Sequence, residues 1–554
     1  RGIPVKNGYP VTIRLSSPEV EPVETPAGSW FLSAAGAGTL AKRVLDLSRR
    51  GLSPVEVVER LAPEMEEGTI LFVPGAGFPD PRVLAFKSVI CSRDLYWART
   101  GTGGFLVGDR FADVLPLLPG EVRVLSGRRA AHYLMGCNIR GDWTLLEAVN
   151  RVGHGELLLF SPNQEEPEKK RIQRFSWNSV IEDDMEAAEA LEGALEKTCG
   201  HIRQLESKAL MFSGGTDSTL LWSFLGPQTT ALAGFVDTDP AERDIARTTA
   251  SRHGIPLRLM ELREGDFLEE FRGALRDAGM PFIISNFQML YYRMGFRQGF
   301  SHLVSGELAD TLWGIAHTAR IFREPEKGPY ARAIATSPLL PGGYGIRIHL
   351  LLPDDMGVLS HVFGWGTLLG FLQDNLSYAK ACLDPAVPLD RDFRKGHADL
   401  GTLAFILNGM WRANYRQAGY VHGVGMSFPF ESLSVARAAL SVALPGRILS
   451  KEGVLKPAVH GLLARRLPGA IPPGKSGSGV PRTRYCQEGP LKGFFRERPV
   501  PSFWPAEWAG ALENPTWETS SVVLKCASLV LWEEEVLRKA GSRESGTPGR
   551  ARPS

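Results

Sequence analysis

The chain has 554 residues, with 63 Lys plus Arg against 61 Asp plus Glu and a net charge of +2. Its 43% hydrophobic and 22% charged residues fit a folded multi-domain protein and exclude a largely disordered one. Near-neutral charge without a long basic run argues against nucleic acid, and no apolar run reaches the roughly 18 residues of a membrane span. The six cysteines, at 91, 137, 199, 382, 486 and 526, never stand at C-x-x-C spacing. That disfavours structural zinc or a redox dithiol, and a reducing cytoplasm is the expected compartment. No charged-then-apolar signal segment opens the chain.

In chain order, residues 1–27 are rich in Val, Pro and Glu and read as short strands or irregular structure. A helix is predicted from Thr39 to Arg50, with Leu40, Val44 and Leu47 on one face. Ser53 caps a second helix, with Pro54 at its first position and Glu56 completing a capping box. Residues 1–66 thus read as an N-terminal extension, in the pattern of a small winged-helix-like module or a local decoration of the neighbouring domain. Short strands are predicted at 70–73, 88–91, 104–107 and 156–160, and the charged segment 164–170 as a turn or linker.

From Ile181 the pattern changes. Leu191, Leu195, Ile202 and Leu205 mark an amphipathic helix. Strands at 209–212, 231–235, 256–262 and 302–305 alternate with helical segments, including one at 241–253. This alternation predicts a parallel α/β sheet. Beyond about residue 350 the chain reads as mostly helical, and 541–554 as a disordered tail.

The chemistry concentrates in Ser213-Gly-Gly-Thr-Asp-Ser218, between an apolar strand and a helix. Gly214 and Gly215 permit a sharp turn with bare amides, and the helix N-terminus adds positive potential. Thr216 lies between them and the carboxylate of Asp217, while Ser213 and Ser218 supply hydroxyls. The result is an anion cradle suited to pyrophosphate, with Asp217 available to Mg²⁺. The bland alternative is a Ser/Gly-rich turn that caps a helix. A second phosphate-loop pattern, Gly469-Ala-Ile-Pro-Pro-Gly-Lys-Ser476, lacks the preceding strand and following helix and carries two prolines.

The Ser213–Ser218 loop resembles the pyrophosphate loop of the asparagine synthetase and β-lactam synthetase family, which includes lasso-peptide macrolactam synthetases. His302-Leu-Val-Ser-Gly-Glu-Leu-Ala-Asp-Thr-Leu-Trp-Gly314 resembles its second signature. Tyr420-Val-His-Gly423, Phe428-Pro-Phe430, Lys456-Pro-Ala, Arg466-Leu-Pro468 and Lys475-Ser-Gly-Ser-Gly-Val-Pro481 come after it in the family's order.

The resemblance implies an α/β architecture: a parallel-sheet ATP pyrophosphatase domain of the PP-loop type over 181–540, with a helical C-terminal part. Before it, over 67–180, comes a degenerate glutaminase-like α+β domain of the Ntn type. The expected activity is adenylation of a carboxylate by ATP, with Mg²⁺ and release of pyrophosphate, then attack by an amine. The resemblance implies Asp217 and Asp310 as metal ligands and Lys475 and Lys456 as further catalytic groups. It places Gly234 and Phe235 against the nucleotide, with Ser305 and Gly306 in the second loop.

Glutamine-using members begin with a cysteine, whereas the first here is Cys91, so glutamine hydrolysis is not expected. Gly425 and Ser427 stand where asparagine synthetases carry Glu and Arg, which points away from aspartate. Tyr420, His422 or Glu431 could then serve as base. The leading expectation is a secondary-metabolite or peptide macrolactam synthetase acting on a small-molecule or peptide carboxylate and amine, with a precursor peptide or leader peptidase as partner. The alternatives are an ammonia-using asparagine synthetase and a non-catalytic ATP-binding scaffold.

Overall fold

The computed structural model describes residues 11–542 except 35, 102, 137–138, 162–163, 178–180, 239–240, 283–286, 315–358, 360–361, 388–392, 470–481, 499, 502 and 517–518. The N-terminal part holds ten strands: β1 (Val11–Arg14), β2 (Glu21–Thr25), β3 (Gly28–Ala34), β4 (Gly68–Pro74), β5 (Val83–Lys87), β6 (Tyr96–Arg99), β7 (Phe105–Gly108), β8 (Val149–Arg151), β9 (Glu156–Phe160) and β10 (Glu168–Arg171). They form a four-stranded sheet, β1-β7-β6-β8, and a six-stranded sheet, β10-β9-β5-β4-β3-β2. Ile13, Trp97, Phe105 and Val107 from the first sheet meet Phe31, Leu71, Ala85 and Phe160 from the second in one apolar layer. The outer face of the six-stranded sheet, through Trp30, Phe72 and Phe86, packs on Val44 and Leu47 of the Ala37–Arg49 helix and on Val57, Val58 and Leu61 of the Pro54–Leu61 helix. Alternating side chains thus feed two separate cores, as strand periodicity requires.

Several sequence expectations meet this structure directly. Ser53 and Glu56 form the expected capping box, with Pro54 at the start of the helix. The expected boundary at residue 66 falls inside a sheet, because β3 pairs antiparallel with β4 over seven residues, Gly28–Ala34 against Gly68–Pro74. Segment 88–91 is not a strand. The strand lies just before it at Val83–Lys87, and Val89 turns to donate its amide to Gln173. Segment 164–170, expected as a turn, contributes to a strand, since Glu168–Arg171 forms β10 at the edge of the larger sheet. Its charge is what an edge strand carries to discourage further pairing.

The second part is built on a five-stranded sheet. Its strands are β11 (Lys208–Met211), β12 (Thr230–Val236), β13 (Leu257–Leu262), β14 (His302–Val304) and β15 (Gly425–Ser427). The order is β13-β12-β11-β14-β15, and every pairing is parallel. The expected parallel α/β sheet is present. β15 lies among residues expected to be helical, since three residues containing a glycine give no periodic signal. The Asp184–Arg203 helix, capped by Asp183, packs on the Leu433–Ser441 and Pro457–Arg466 helices. No described helix is long and apolar enough to cross a membrane. Residues 543–554, expected as a disordered tail, lie outside the described residues.

Candidate active site

The site lies at the carboxyl ends of the central strands β11 and β14, where open parallel sheets place their ligand crevices. After β11 the chain passes through Phe212–Gly215 into the Thr216–Leu225 helix. Gly214 has φ 71°, and a Cβ there would lie 2.9 Å from Ile245 O and Ala246 Cα. Glycine is therefore required twice over, by conformation and by space. Its carbonyl accepts a bond from Thr249 Oγ1 at 3.1 Å, which anchors the loop to the Ala241–His253 helix. Ser213 Oγ accepts the Gly215 amide at 3.3 Å, and Ser218 Oγ donates to Gly215 O at 3.2 Å. Thr216 opens the helix. The loop is held in shape by its own hydroxyls.

The second signature enters from β14. Ser305 is buried, donates its amide to Ser427 O at 3.0 Å, and its hydroxyl pairs with Tyr292 OH and accepts the Glu307 amide. A Cβ on Gly306 would lie 3.7 Å from both Asp217 Cβ and Ser218 N, so the second loop lies close against the first. Leu308 adopts φ 75°, and the short Ala309–Trp313 helix then presents Asp310.

Lys456 joins the two loops. It opens the Pro457–Arg466 helix in a left-handed conformation, φ 48°. Its Nζ donates to Asp217 Oδ2 at 2.7 Å and Oδ1 at 3.0 Å, and also to Asp310 Oδ1. Burial opposes the ammonium charge, but Asp217 and then Asp310 outweigh it and hold its pKa above the ordinary lysine value. Three residues named from separate sequence segments thus converge on one point. Two carboxylates sharing one cation is also the donor set that Mg²⁺ uses beside nucleotide phosphates. The residues fit that ion.

Other expected residues fall differently. Gly234 and Phe235 lie within β12, paired with Met260 and Glu261. A Cβ at Gly234 would sit 2.3 Å from the Tyr291 ring, so close packing alone accounts for this glycine. Lys475 and most of the second phosphate-loop pattern lie outside the described residues. The three substitute bases do not reach the site. Glu431 is bound by Arg412 and Ser92, Tyr420 donates to Glu19, and His422 Nε2 pairs with Asp277 at 2.9 Å.

Glu307 is the group that sequence reasoning passed over, although it stands within the quoted second signature. Its carboxylate accepts the Trp411 Nε1–H bond at 3.0 Å. Burial pushes its pKa up to about 7. The Trp411 bond and the Arg412 charge pull it back, and Asp310 pushes it further up. Tyr292 stacks on Tyr415 at 4.3 Å between ring centroids, which closes this side of the site with aromatic surface. A carboxyl poised near neutrality close to Asp310 is suited to accept a proton.

At one end of a parallel sheet, a glycine loop, an acid from each of two loops and a bridging lysine thus come together. Residues 187–367 match the asparagine synthase family model. A curated relative, the "Microcin J25-processing protein McjC" of Escherichia coli, is 26% identical over 180 residues, 31% of this chain and 33% of the relative. The match therefore spans a third of that relative's length.

Proposed function

We propose that the protein is an AMP-forming amide ligase that closes a peptide macrolactam or builds a related secondary metabolite without hydrolysing glutamine. The observation that carries this reading is the convergence of Asp217, Asp310 and Lys456 beside the Ser213–Ser218 anion loop. A substrate carboxylate oxygen attacks the α-phosphorus of ATP, the bond to the bridging oxygen breaks, and pyrophosphate departs. The loop amides, Ser213 and Ser218 bind the departing phosphates, and Lys456 offsets charge around them. Mg²⁺, held by Asp217 and Asp310, would supply the further charge neutralisation that leaving pyrophosphate needs. The amine nitrogen then attacks the acyl carbon, AMP leaves, and the ammonium proton passes to Glu307. Lys475 is assigned by resemblance to the α-phosphate or the developing oxyanion.

Support for glutamine independence comes from the described cysteines. All five are buried, and burial raises each thiol pKa, that of Cys91 to about 12. Such thiols are poor nucleophiles. Support for a degenerate glutaminase-like domain comes from two face-packed sheets with helices on the outer face of the larger one. The acceptor side also departs from aspartate chemistry. A Cβ at Gly425 would lie 2.6 Å from His302 Nδ1, and Ser427 Oγ pairs with His302 Nε2 at 2.8 Å. Those two positions are thus filled by packing, without a charged pair for an amino-acid substrate. A precursor peptide, with a leader peptidase acting before cyclisation, is the partner class proposed.

The test is incubation with ATP, Mg²⁺ and linear peptides bearing a free N-terminus and one side-chain carboxylate. AMP, pyrophosphate and a product lighter by one water are expected. Aspartate and ammonium form the second arm, and asparagine there would establish the rival synthetase reading. Nucleotide binding without pyrophosphate release in either arm would favour a scaffold.

A further inference from the structure

The Trp411–Val421 helix has an unusual burial pattern. Every residue from Trp411 to Tyr420 is buried, including Arg412, Asn414, Arg416 and Gln417. Polar side chains buried on all sides of a helix must find partners, because an unpaired buried charge costs several kcal/mol. Here the partners come from both parts of the chain.

Arg412 Nε donates to Glu431 Oε1 at 2.9 Å, and its Nη2 donates to Ile406 O at 2.8 Å. Asn414 Nδ2 donates to Pro281 O at 2.9 Å. The other two reach into the N-terminal sandwich. Arg416 Nε donates to Ser92 Oγ at 2.7 Å, and its Nη2 donates to Glu67. Gln417 Nε2 donates to Asp109 O at 2.7 Å. Ser92 in turn donates to Glu431, and Arg93 pairs with Glu19 and Glu67. Glu19 also accepts the Met426 amide of β15 at 3.1 Å. Three acids and three arginines, Glu19, Glu67, Glu431, Arg93, Arg412 and Arg416, form one buried seam.

The start of this helix also contacts the second loop of the site. Trp411 donates to Glu307, the Arg412 guanidinium lies 4.7 Å from the Trp411 ring centre, and Tyr415 stacks on the Tyr292 ring whose hydroxyl holds Ser305. Ser92 and Glu307 are therefore joined by a continuous run of direct contacts: Ser92, Glu431, Arg412, Trp411, Glu307.

We propose that the N-terminal sandwich is a positioning part of the synthetase, fixing the Trp411–Val421 helix through Ser92, Glu67 and Asp109 and thereby setting Trp411 and Glu307. In this arrangement the sandwich is a built wall of the acceptor half of the site. Seam residues act through Trp411 and touch no substrate. The link to catalysis rests on the role given to Glu307 above, whereas the mechanical link stands on the contacts alone.

Hydrogen–deuterium exchange on the full chain, with no substrate, tests it. Ser92→Ala removes the hydroxyl shared by Arg416 and Glu431. Exchange should rise about tenfold in peptides covering 305–313 and 411–421, as expected when a buried charged group loses a partner. Peptides covering 213–225 should be unchanged. Ser92→Thr, which keeps the hydroxyl, should restore the wild-type rates. Leu47→Ala weakens the sandwich in its outer helical layer, away from the seam, and should leave both peptides unchanged. If Ser92→Ala does not fold, Gln417→Met is the milder variant with the same expected pattern. Unchanged exchange in the seam variant, or an equal rise in Leu47→Ala, would overturn the proposal. Neither result bears on Glu307→Gln, which tests the proton acceptor separately.

Discussion

In the proposed reaction, Glu307 takes the amine proton once a carboxylate is activated. An amine that attacks an acyl-adenylate must lose a proton, and Glu307 can take it only when ionised. Burial holds the Glu307 pKa at about 7, above its ordinary value. Amide formation should therefore fall as pH drops below 7 and level off above it, which a pH profile of the maximal rate reads directly. Glu307→Gln should reduce amide formation by about 10²–10⁴-fold, the usual worth of a positioned base. Carboxylate-dependent pyrophosphate exchange should survive. Equal loss of both half-reactions would show that Glu307 belongs to adenylation. The acids and the lysine were legible in the sequence because each sits in a motif with its own spacing. Glu307 lay in one of those motifs and was still passed over. Its distinction is burial against Trp411, more than 100 residues away, and no local pattern carries that. The substitute bases failed for the converse reason. Tyr420, His422 and Glu431 stand in a recognisable segment, but hydrogen bonds of Tyr420 and His422 and the Arg412 and Arg416 pairs of Glu431 tie them to other residues.

The two loops and β15 carry the geometry at the scale of elements. Gly214 is held by φ 71° and by the backbone of Ile245 and Ala246 at 2.9 Å. Gly214→Ala should destabilise the fold by about 1–3 kcal/mol, the range for forcing a side chain into strained backbone. ATP binding should be lost even where the variant stays folded. A urea titration and a nucleotide-binding isotherm measure the two effects separately. Strand and helix order over 184–262 was readable because apolar strands alternate there with capped or charged helices. The Ala241–His253 helix and strand β9 appear at their expected bounds. What escaped was short or edge structure. β15 is three residues long, and β10 is charged throughout, so neither shows the alternation by which strands are recognised.

At the scale of the whole molecule, the sandwich and the synthetase sheet share a buried ionic seam. The sequence could not show it, because Glu19, Glu67, Ser92 and Arg416 are unremarkable where they stand and meet only on folding. The expected break at residue 66 failed for a related reason, since pairing between β3 and β4 is invisible to a helix-and-turn pattern. The seam has a pH signature. Burial pushes the Glu19 pKa up, but Arg93, Arg416 and His302 outweigh it and lower it to about 2 from 4.5. A carboxyl with a lowered folded pKa contributes stability that is complete above 4.5 and lost as pH falls toward 2. Thermal melts should therefore show Tm falling across that window. Glu19→Gln should flatten the fall and lower Tm at neutral pH, because Arg93 loses a charged partner. A Glu19→Gln variant with the wild-type slope would show that the seam does not govern acid stability.

The proposed function rests on activation of a carboxylate by transfer of adenylate. The most direct measurement places a heavy-oxygen label in the carboxylate of the linear peptide substrate and follows it by mass spectrometry after turnover with ATP and Mg²⁺. Adenylation makes one carboxylate oxygen a bridge to the α-phosphorus, and attack by the amine leaves that oxygen on AMP. One labelled oxygen in AMP is expected for each amide formed, with unlabelled pyrophosphate. Label in inorganic phosphate with ADP as the other product, or amide formation with unlabelled AMP, would contradict it.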